Sequence, residues 1–192
     1  MDGSGSARLK QPGIHYVRNE QMMKQRVLTL IVALALFSTV VHSAEQKGYL
    51  SPDGKYLAYA IPLPKAPYGS GESKIVIKTM SGKTLASKSY GSEDGEHGAG
   101  VEKAAWTFDS RFFVYSMSSS GGHQSWHFRT FFISTTDWKI RSLDDYVGPI
   151  TDPDFVLSAP DTVKTLGREK STLDEATFEI RLSELLTDQK QK

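Results

Sequence analysis

One nine-residue pattern occurs twice in this chain and constrains its fold more than any other feature. It spans residues 51–59 (SPDGKYLAY) and residues 107–115 (TFDSRFFVY). In both copies a hydroxyl residue, an Asp and a small residue are typical of a turn, and the basic, aromatic and apolar residues that follow are typical of a strand. A weaker third copy begins at Ser158, so the three turns begin 56 and 51 residues apart. Such a repeat predicts a chain built from successive β units.

The segments around these turns carry further strand signals. They lie at residues 55–61, 74–79, 84–90, 111–117, 126–134, 138–143, 163–166 and 177–182. Residues 177–182 alternate strictly between apolar and polar side chains, which is typical of a half-buried strand, although a helix over residues 171–186 is the alternative. Residues 140–146 and 180–186 each read as a strand that runs into one helical turn.

These signals predict an all-β domain of three propeller-blade-like antiparallel β units, at about residues 47–92, 101–148 and 150–187. A closed propeller needs at least about four blades of roughly 40 residues each. Because three units are too few, we predict an open or incomplete propeller. Its exposed sheet edges would be capped by residues 45–50 and the C-terminal strand, or covered by self-association.

A short apolar segment precedes the repeats. Lys24 and Arg26 stand before an apolar run at residues 27–41, and small residues follow at Ser43 and Ala44. This arrangement is typical of a secretory signal peptide, which we predict to be cleaved after Ser43. The alternative is an uncleaved membrane anchor, but the run is shorter than the roughly 20 apolar residues that a spanning helix needs.

The polar stretch at residues 1–21 is unusual in front of a signal peptide, and Met22 or Met23 reads as the true start of translation. Residues 1–43 are therefore predicted to be a non-native-looking leader plus a signal peptide, and residues 44–192 a single β-rich domain. We expect the cleaved protein to be periplasmic or secreted, without stable insertion in a membrane.

Composition excludes several classes of function. Residues 44–192 contain 18 Lys and Arg against 20 Asp and Glu, a formal charge of −2, so no basic field for nucleic acid is expected. The chain contains no cysteine, which excludes disulfides and thiolate metal ligands. Its fold must therefore be held together by its core.

The motif at residues 51–59 resembles the WD-like β-propeller repeat of TolB-type proteins, which also occurs in the propeller domains of prolyl-oligopeptidase-like enzymes. The resemblance implies a scaffold that binds proteins or gates an enzyme domain. Unlike the family, residues 44–192 offer too few repeats to close a ring, and no attached hydrolase domain is expected. Ser110 and Thr162 also stand where the first copy has Gly54, which weakens the turn prediction in the second and third units.

The three histidines of residues 44–192 all lie in or beside two polar, glycine-rich loops. His97 lies in residues 91–100, and His123 and His127 lie in residues 118–127. If the first two units are adjacent, the loops meet, and the histidines together with Asp94 or Glu96 would offer nitrogen and oxygen ligands suited to zinc. The alternative is that flexible surface loops carry these histidines by chance.

The same loops carry the composition of a binding surface, because aromatic residues and Arg are enriched in binding hot spots. The residues predicted to contact a ligand or partner are His97, His123, Trp126, His127 and Arg129. In contrast, the aromatic residues Trp106 and Trp138 are expected to pack between units.

No catalytic residue and no cofactor are assigned. Residues 118–120 place serines close to His123, but the chain lacks the Gly-x-Ser-x-Gly turn that holds a nucleophilic serine rigid. The predicted function is an exported binding or protein-interaction module of the cell envelope without catalytic activity. Its partner would be another envelope protein, or a second copy bound through sheet edges. The alternative is a small envelope hydrolase, zinc-dependent or not, that uses His97, His123 and His127.

Overall fold

The computed structural model describes residues 46–64 and 71–188. The predicted leader and signal peptide lie outside these residues. The strands are β1 (Lys47–Leu50), β2 (Tyr56–Pro62), β3 (Ser73–Thr79), β4 (Thr84–Ser89), β5 (Ala99–Trp106), β6 (Phe112–Ser119), β7 (Arg129–Ser134), β8 (Ile140–Ser142), β9 (Val156–Ser158), β10 (Thr162–Arg168) and β11 (Glu175–Arg181), and the helices are α1 (Asp144–Val147) and α2 (Leu182–Asp188). Neither helix in this described part is long and apolar enough to cross a membrane.

The strands form three separate antiparallel sheets. The first sheet has the order β1-β2-β3-β4, the second β5-β6-β7-β8, and the third β11-β10-β9. None of the three closes on itself, so the prediction of an open all-β fold with three antiparallel units is confirmed. Within each sheet, every strand pairs with a strand next to it in sequence. Almost all hydrogen bonds between strands therefore lie within one unit.

Two strand predictions differ from the structure in their bounds. The long strand predicted for residues 126–134 begins only at Arg129. The amide of His127 donates to the carbonyl of Gln124 at 3.0 Å, and the amide of Phe128 donates to Ile150 at 2.8 Å, outside the sheet. Trp126 and His127 therefore belong to a loop. The loop predicted for residues 91–100 is shorter, because β5 begins at Ala99.

Two other predictions for strand ends are confirmed. The alternating segment near the C-terminus forms β11, and not a helix over residues 171–186. Both predicted strand exits lead into a short helix, since β8 is followed by α1 and β11 by α2.

The first copy of the motif forms a tight turn held by side-chain hydrogen bonds. The hydroxyl of Ser51 accepts the Tyr56 amide at 3.0 Å and donates to the Asp53 carboxylate at 2.7 Å. The same carboxylate oxygen accepts the Lys55 amide at 3.2 Å. Gly54 has φ 72°, a left-handed conformation that glycine adopts without steric cost. The turn therefore uses the hydroxyl, the carboxylate and the left-handed residue that the motif supplies.

The second copy forms the same turn although Ser110 replaces the glycine. Thr107 accepts the Phe112 amide at 3.0 Å and donates to Asp109 at 2.8 Å. Ser110 has φ 61°, and its hydroxyl accepts the backbone amide of Asp53 at 2.9 Å. The turn therefore forms in the second unit although the serine weakened its prediction, and the Ser110 hydroxyl links the first turn to the second.

The third copy departs from the motif. Asp161 is completely buried and accepts hydrogen bonds from Arg111 at 3.0 Å, Arg181 at 3.3 Å and the Ser183 amide at 3.0 Å. It therefore joins the second sheet to the end of β11. In contrast, Asp53 and Asp109 each close a local turn. The third copy is nevertheless hydrogen-bonded to the second turn, since the Asp109 amide donates to the carbonyl of Pro160 at 3.2 Å.

The second sheet lies between the other two and buries both of its faces. Along β6, Phe113 and Tyr115 belong to the core shared with the first sheet, whereas Phe112 and Val114 belong to the core shared with the third. This alternation explains why residues 112–117 of β6 are all buried. Trp106 also lies in the first core, where it stacks on Tyr56 at 6.0 Å between ring centroids, as predicted.

Two tyrosine hydroxyls meet inside the first core. Tyr90 and Tyr115 are 8% and 0% exposed, and their hydroxyl oxygens are 2.6 Å apart. Burial raises the pKa of both phenols. Tyr115→Phe is expected to lower the free energy of unfolding by about 1–3 kcal/mol, because the Tyr90 hydroxyl would be left buried without this partner.

The coupling between the two hydroxyls is measurable by urea denaturation of both single variants and the double variant. Once one hydroxyl has been removed, the other is left without this partner, so removing it as well loses little more. The double variant Tyr90→Phe, Tyr115→Phe should therefore lose clearly less stability than the sum of the losses in the two single variants. Strictly additive costs would show that the hydrogen bond contributes nothing to stability.

Candidate functional site

The two glycine-rich loops meet at one end of the first and second sheets. The amide of Gly98 donates to the hydroxyl of Ser120 at 3.1 Å, and the Ser120 amide donates to the Gly98 carbonyl at 3.1 Å. The rings of His97 and His123 stack with their centroids 5.1 Å apart and their planes 16° apart. We call the exposed surface of residues 91–98 and 120–128, with Arg129, the loop face.

The buried carboxylate of Glu72 is hydrogen-bonded to both loops. It lies just before β3 and is 8% exposed. One oxygen accepts the Ser92 amide at 2.9 Å, and the other accepts the Ser92 hydroxyl at 2.5 Å and the Ser120 hydroxyl at 3.0 Å. Burial acts to raise the pKa of Glu72, but the hydrogen bonds from Ser92, Ser120 and the Gly98 amide outweigh it, and the pKa lies below its usual value. Glu72 is therefore ionised at neutral pH.

The close approach of Glu72 explains one of the loop glycines. A Cβ atom added to Gly98 would lie 2.1 Å from a carboxylate oxygen of Glu72 and 2.4 Å from the backbone carbonyl oxygen of Tyr90, so a side chain here would displace both groups. Sequence reasoning missed Glu72, because an acidic residue between Gly71 and Ser73 is typical of a solvated loop end. The partners of Glu72 are 20 and 48 residues away along the chain, so no local pattern identifies it.

Asp94 shapes the first loop and orients His97. One of its oxygens accepts the Glu96 amide at 3.0 Å and lies 2.9 Å from the Ser92 hydroxyl oxygen, and the other lies 2.5 Å from Nδ1 of His97. The Glu96 amide, the His97 ring and the Ser92 hydroxyl hold the pKa of Asp94 well below its usual range. Both members of the Asp94–His97 pair are solvent-exposed. The arrangement presents an oriented imidazole to solvent.

His127 has a different partner from the other two histidines. Its Nε2 lies 2.7 Å from the carboxylate of Asp144, and both side chains are largely buried. Asp144 also accepts the amides of Thr130 at 3.0 Å and Ile150 at 3.2 Å. His127 therefore helps to fix α1 and the segment after it against the start of β7.

The remaining predicted binding residues are exposed on the loop face. Trp126 is 47% exposed, and the guanidinium of Arg168 lies 5.1 Å from its ring centroid. This cation–π contact fixes the ring from one side. Arg129 is exposed at the start of β7. The loop face thus combines the His97–His123 stack, an exposed indole and an arginine, while His127 lies beneath Trp126.

The zinc prediction needs several of these side chains at one ion. Within residues 46–64 and 71–188, no group of three or more His, Cys, Asp or Glu side chains is arranged to hold a metal. The loop serines have carboxylate partners: Ser120 donates to Glu72, and Ser118 donates to Glu102. Their hydroxyl protons are directed at glutamates and not at a histidine.

No protein-family model, curated protein or solved structure matches this chain. The loop face and the free faces of the sheets are therefore the features from which a function is inferred.

Proposed function

We propose that the protein is an exported binding module of the cell envelope that recognises a protein partner through the loop face and has no catalytic activity of its own. The observation that carries this proposal is the Glu72 carboxylate, which ties both glycine-rich loops to the start of β3. Loops fixed in this way lose little conformational entropy when a partner binds, so more of the contact energy appears as affinity.

The chemistry of the loop face also supports a protein partner. Trp126 offers a large apolar surface with a polar edge, and Arg129 and the His97–His123 stack add polar groups to the loop face. Tryptophan and arginine are the residue types most enriched among those that dominate protein interfaces. The resemblance of residues 51–59 to TolB-type repeats adds support, because such repeats serve as scaffolds for protein binding.

The zinc-dependent hydrolase would need His97, His123 and His127 at one catalytic centre. The structure pairs His127 with Asp144 and stacks His97 on His123. Because His127 is paired with Asp144 and only His97 and His123 contact each other, the geometry supports a binding module better than a hydrolase.

A photo-crosslinking amino acid at position 126 of the full chain tests the proposal in envelope preparations. We expect one defined protein to be captured from position 126, and none from position 108. Phe108 is a matched control, because it is 62% exposed and lies on the turn of the second unit, at the opposite end of β6 from the loop face.

Affinity measurements with the captured partner then give the contribution of Trp126 to binding. Trp126→Ala is expected to weaken binding by about 30-fold, as for a residue at the centre of an interface, and Phe108→Ala should leave it unchanged. Equal capture from both positions, or binding that survives Trp126→Ala together with His123→Ala, would contradict the proposal.

A further inference from the structure

The third sheet has one strand fewer than the other two. The turns of the motif lie between β1 and β2, between β5 and β6, and between β9 and β10, so β11 corresponds to β3 and β7. A fourth strand pairs with β3 and with β7, but the chain leaves β11 directly into α2. Within residues 46–64 and 71–188, no strand pairs with the outer edge of β11. The edge that a fourth strand covers in the first two units is therefore open in the third.

Among the described sheet edges, that of β11 is the most suitable for pairing with another strand. β1, β8 and β9 are only three or four residues long, and β4 and β5 each have a shift in register against their neighbour. Short strands and bulges are features by which proteins prevent pairing at an edge. β11 has seven residues and pairs with β10 in one regular register. It therefore lacks both of these protections.

The hydrogen bonds at the two ends of β11 show which of its backbone groups point outwards. The amide of Leu182 donates to the carbonyl of Asp161 at 3.1 Å, so this residue is bonded towards β10. At the other end, Asp174 accepts the amide of Glu169 at 2.9 Å and is also bonded towards β10. Because bonded and non-bonded residues alternate along an antiparallel pair, the odd-numbered residues of β11 face the free edge. They are Glu175, Thr177 and Glu179 with their N–H and C=O groups, and Arg181 with its N–H group.

We propose that β11 pairs antiparallel with β11 of a second copy of this chain, across a two-fold axis at Phe178. Among two-fold arrangements, this register pairs all seven residues of the strand. Thr177 of each copy then forms a hydrogen-bonded pair with Glu179 of the other, through the backbone groups that point outwards. Contact between two identical edges generates a closed dimer, in which two three-stranded sheets join into one continuous sheet.

The charges of β11 are complementary to each other in this register. Glu175 lies directly opposite Arg181 of the second copy, and symmetry produces the same pair twice. Cross-strand pairs of opposite charge stabilise a sheet. Arg181 is about half exposed and donates to Asp161 through Nε, so its other N–H groups are able to reach Glu175. A two-fold axis at Thr177 would instead place Glu175 opposite Glu179, and like charges in this position are destabilising.

The apolar residues of β11 also favour a second copy as the occupant. Ala176, Phe178 and Ile180 alternate with the polar residues and are partly exposed. They occupy the non-hydrogen-bonded positions of the proposed pair, where opposite side chains come closest, and Phe178 meets its equivalent at the axis. A second β11 thus supplies both the apolar and the charged side chains that match this edge.

Proline at position 177 tests the pairing, because it removes an N–H group that points outwards. Proline is tolerated at such positions of an edge strand, so Thr177→Pro should leave the hydrogen bonds to β10 in place. In sedimentation equilibrium of the full chain we expect a monomer–dimer equilibrium, which Thr177→Pro shifts to monomer. Ser87→Pro is the matched control, because Ser87 is exposed and faces the free edge of β4. It should leave the dimer intact.

A charge reversal tests the register without constraining the backbone. Glu175→Lys places a positive charge opposite Arg181 of the second copy, and both symmetric pairs change from attraction to repulsion. The dimer should weaken by about 10-fold or more. Glu93→Lys, the same charge change at an exposed residue of the loop face, should not alter it. In the wild-type protein, hydrogen exchange of the Thr177 and Glu179 amides should slow as the protein concentration rises.

Three results would overturn the proposal. The first is a chain that stays monomeric at every concentration. The second is a dimer that Ser87→Pro disrupts and Thr177→Pro does not, which would place the contact at the first sheet. The third is slow exchange of the Thr177 and Glu179 amides in the monomer, which would show that a segment of the same chain covers the edge.

Discussion

Replacing Arg111 and Arg181 together by methionine is expected to lower the free energy of unfolding by about 3–5 kcal/mol. Both side chains donate to Asp161, which is completely buried where the second sheet meets the third. Methionine keeps much of the apolar stem of each arginine and removes its charge. The carboxylate of Asp161 would then be buried with only the Ser183 amide of these three donors left to it.

Replacing the acid instead, in an Asp161→Asn variant, should cost less, because it breaks the two ion pairs of Asp161 and leaves the pair of Arg111 with Asp109 intact. Arg111 and Arg181 are about half exposed. In an Asp161→Asn variant both guanidinium groups are therefore able to recover their hydration in water. Asparagine also keeps one carbonyl oxygen as an acceptor. Denaturation with guanidinium chloride, read by tryptophan fluorescence, gives the comparison.

The surface pair of Lys103 with Asp154 supplies the control. It has a similar N–O distance, 3.2 Å, but the Asp154 side chain is 76% exposed. Lys103→Met is expected to change stability by no more than about 0.5 kcal/mol, as for other solvated ion pairs. If the double arginine variant is as stable as Lys103→Met, Asp161 does not depend on its arginines.

Glu72→Gln is expected to lower the free energy of unfolding by about 2–4 kcal/mol, because hydrogen bonds to a charged group contribute roughly 1.5–3 kcal/mol each. Losing them also leaves buried donors unpaired. The amide group of glutamine would place a donor against the hydroxyls or the amide that now donate to Glu72. Hydrogen exchange should accelerate in residues 91–98 and 118–123 and stay unchanged in β10. Glu93→Gln, in the same loop but exposed, is the matched control.

The contribution of Glu72 should also depend on pH. Its pKa is lowered on folding from the usual value of 4.5. The stabilisation is therefore fully present above that value and is lost as the pH falls through the lower pKa of the folded state. The stability difference between the wild-type protein and Glu72→Gln should be constant near neutral pH and shrink in acid. A difference that does not change with pH would contradict an ionised Glu72.

The sequence predicts those parts of the fold that depend on local contacts. The turn at Ser51 is closed by residues two and five positions away, so its chemistry is visible in a nine-residue motif. The three units follow from the repetition of that motif. The role of Ser110 is not visible in the motif, because its hydroxyl accepts the Asp53 amide of another unit, 57 residues away.

The loop face was predicted only in outline. The polarity and glycine content of both loops indicated where exposed residues lie, and His97 and His123 do meet. The sequence did not reveal that His127 pairs with Asp144, or that Glu72 connects the loops, since both contacts depend on how the chain returns to the same end of the sheets. Such long-range pairing has no periodic or spacing signal.

The succession of turns has a consequence for the order in which the protein is made. The Asp53 amide finds its acceptor on Ser110, and the Asp109 amide finds its acceptor on Pro160. During synthesis from the N-terminus, each turn therefore waits for a unit that emerges later. A nascent chain that ends before residue 160 cannot form the hydrogen bond from the Asp109 amide to Pro160, and we expect it to remain susceptible to proteases. Full-length chains gain the missing contacts together, so the three sheets should unfold as one cooperative unit.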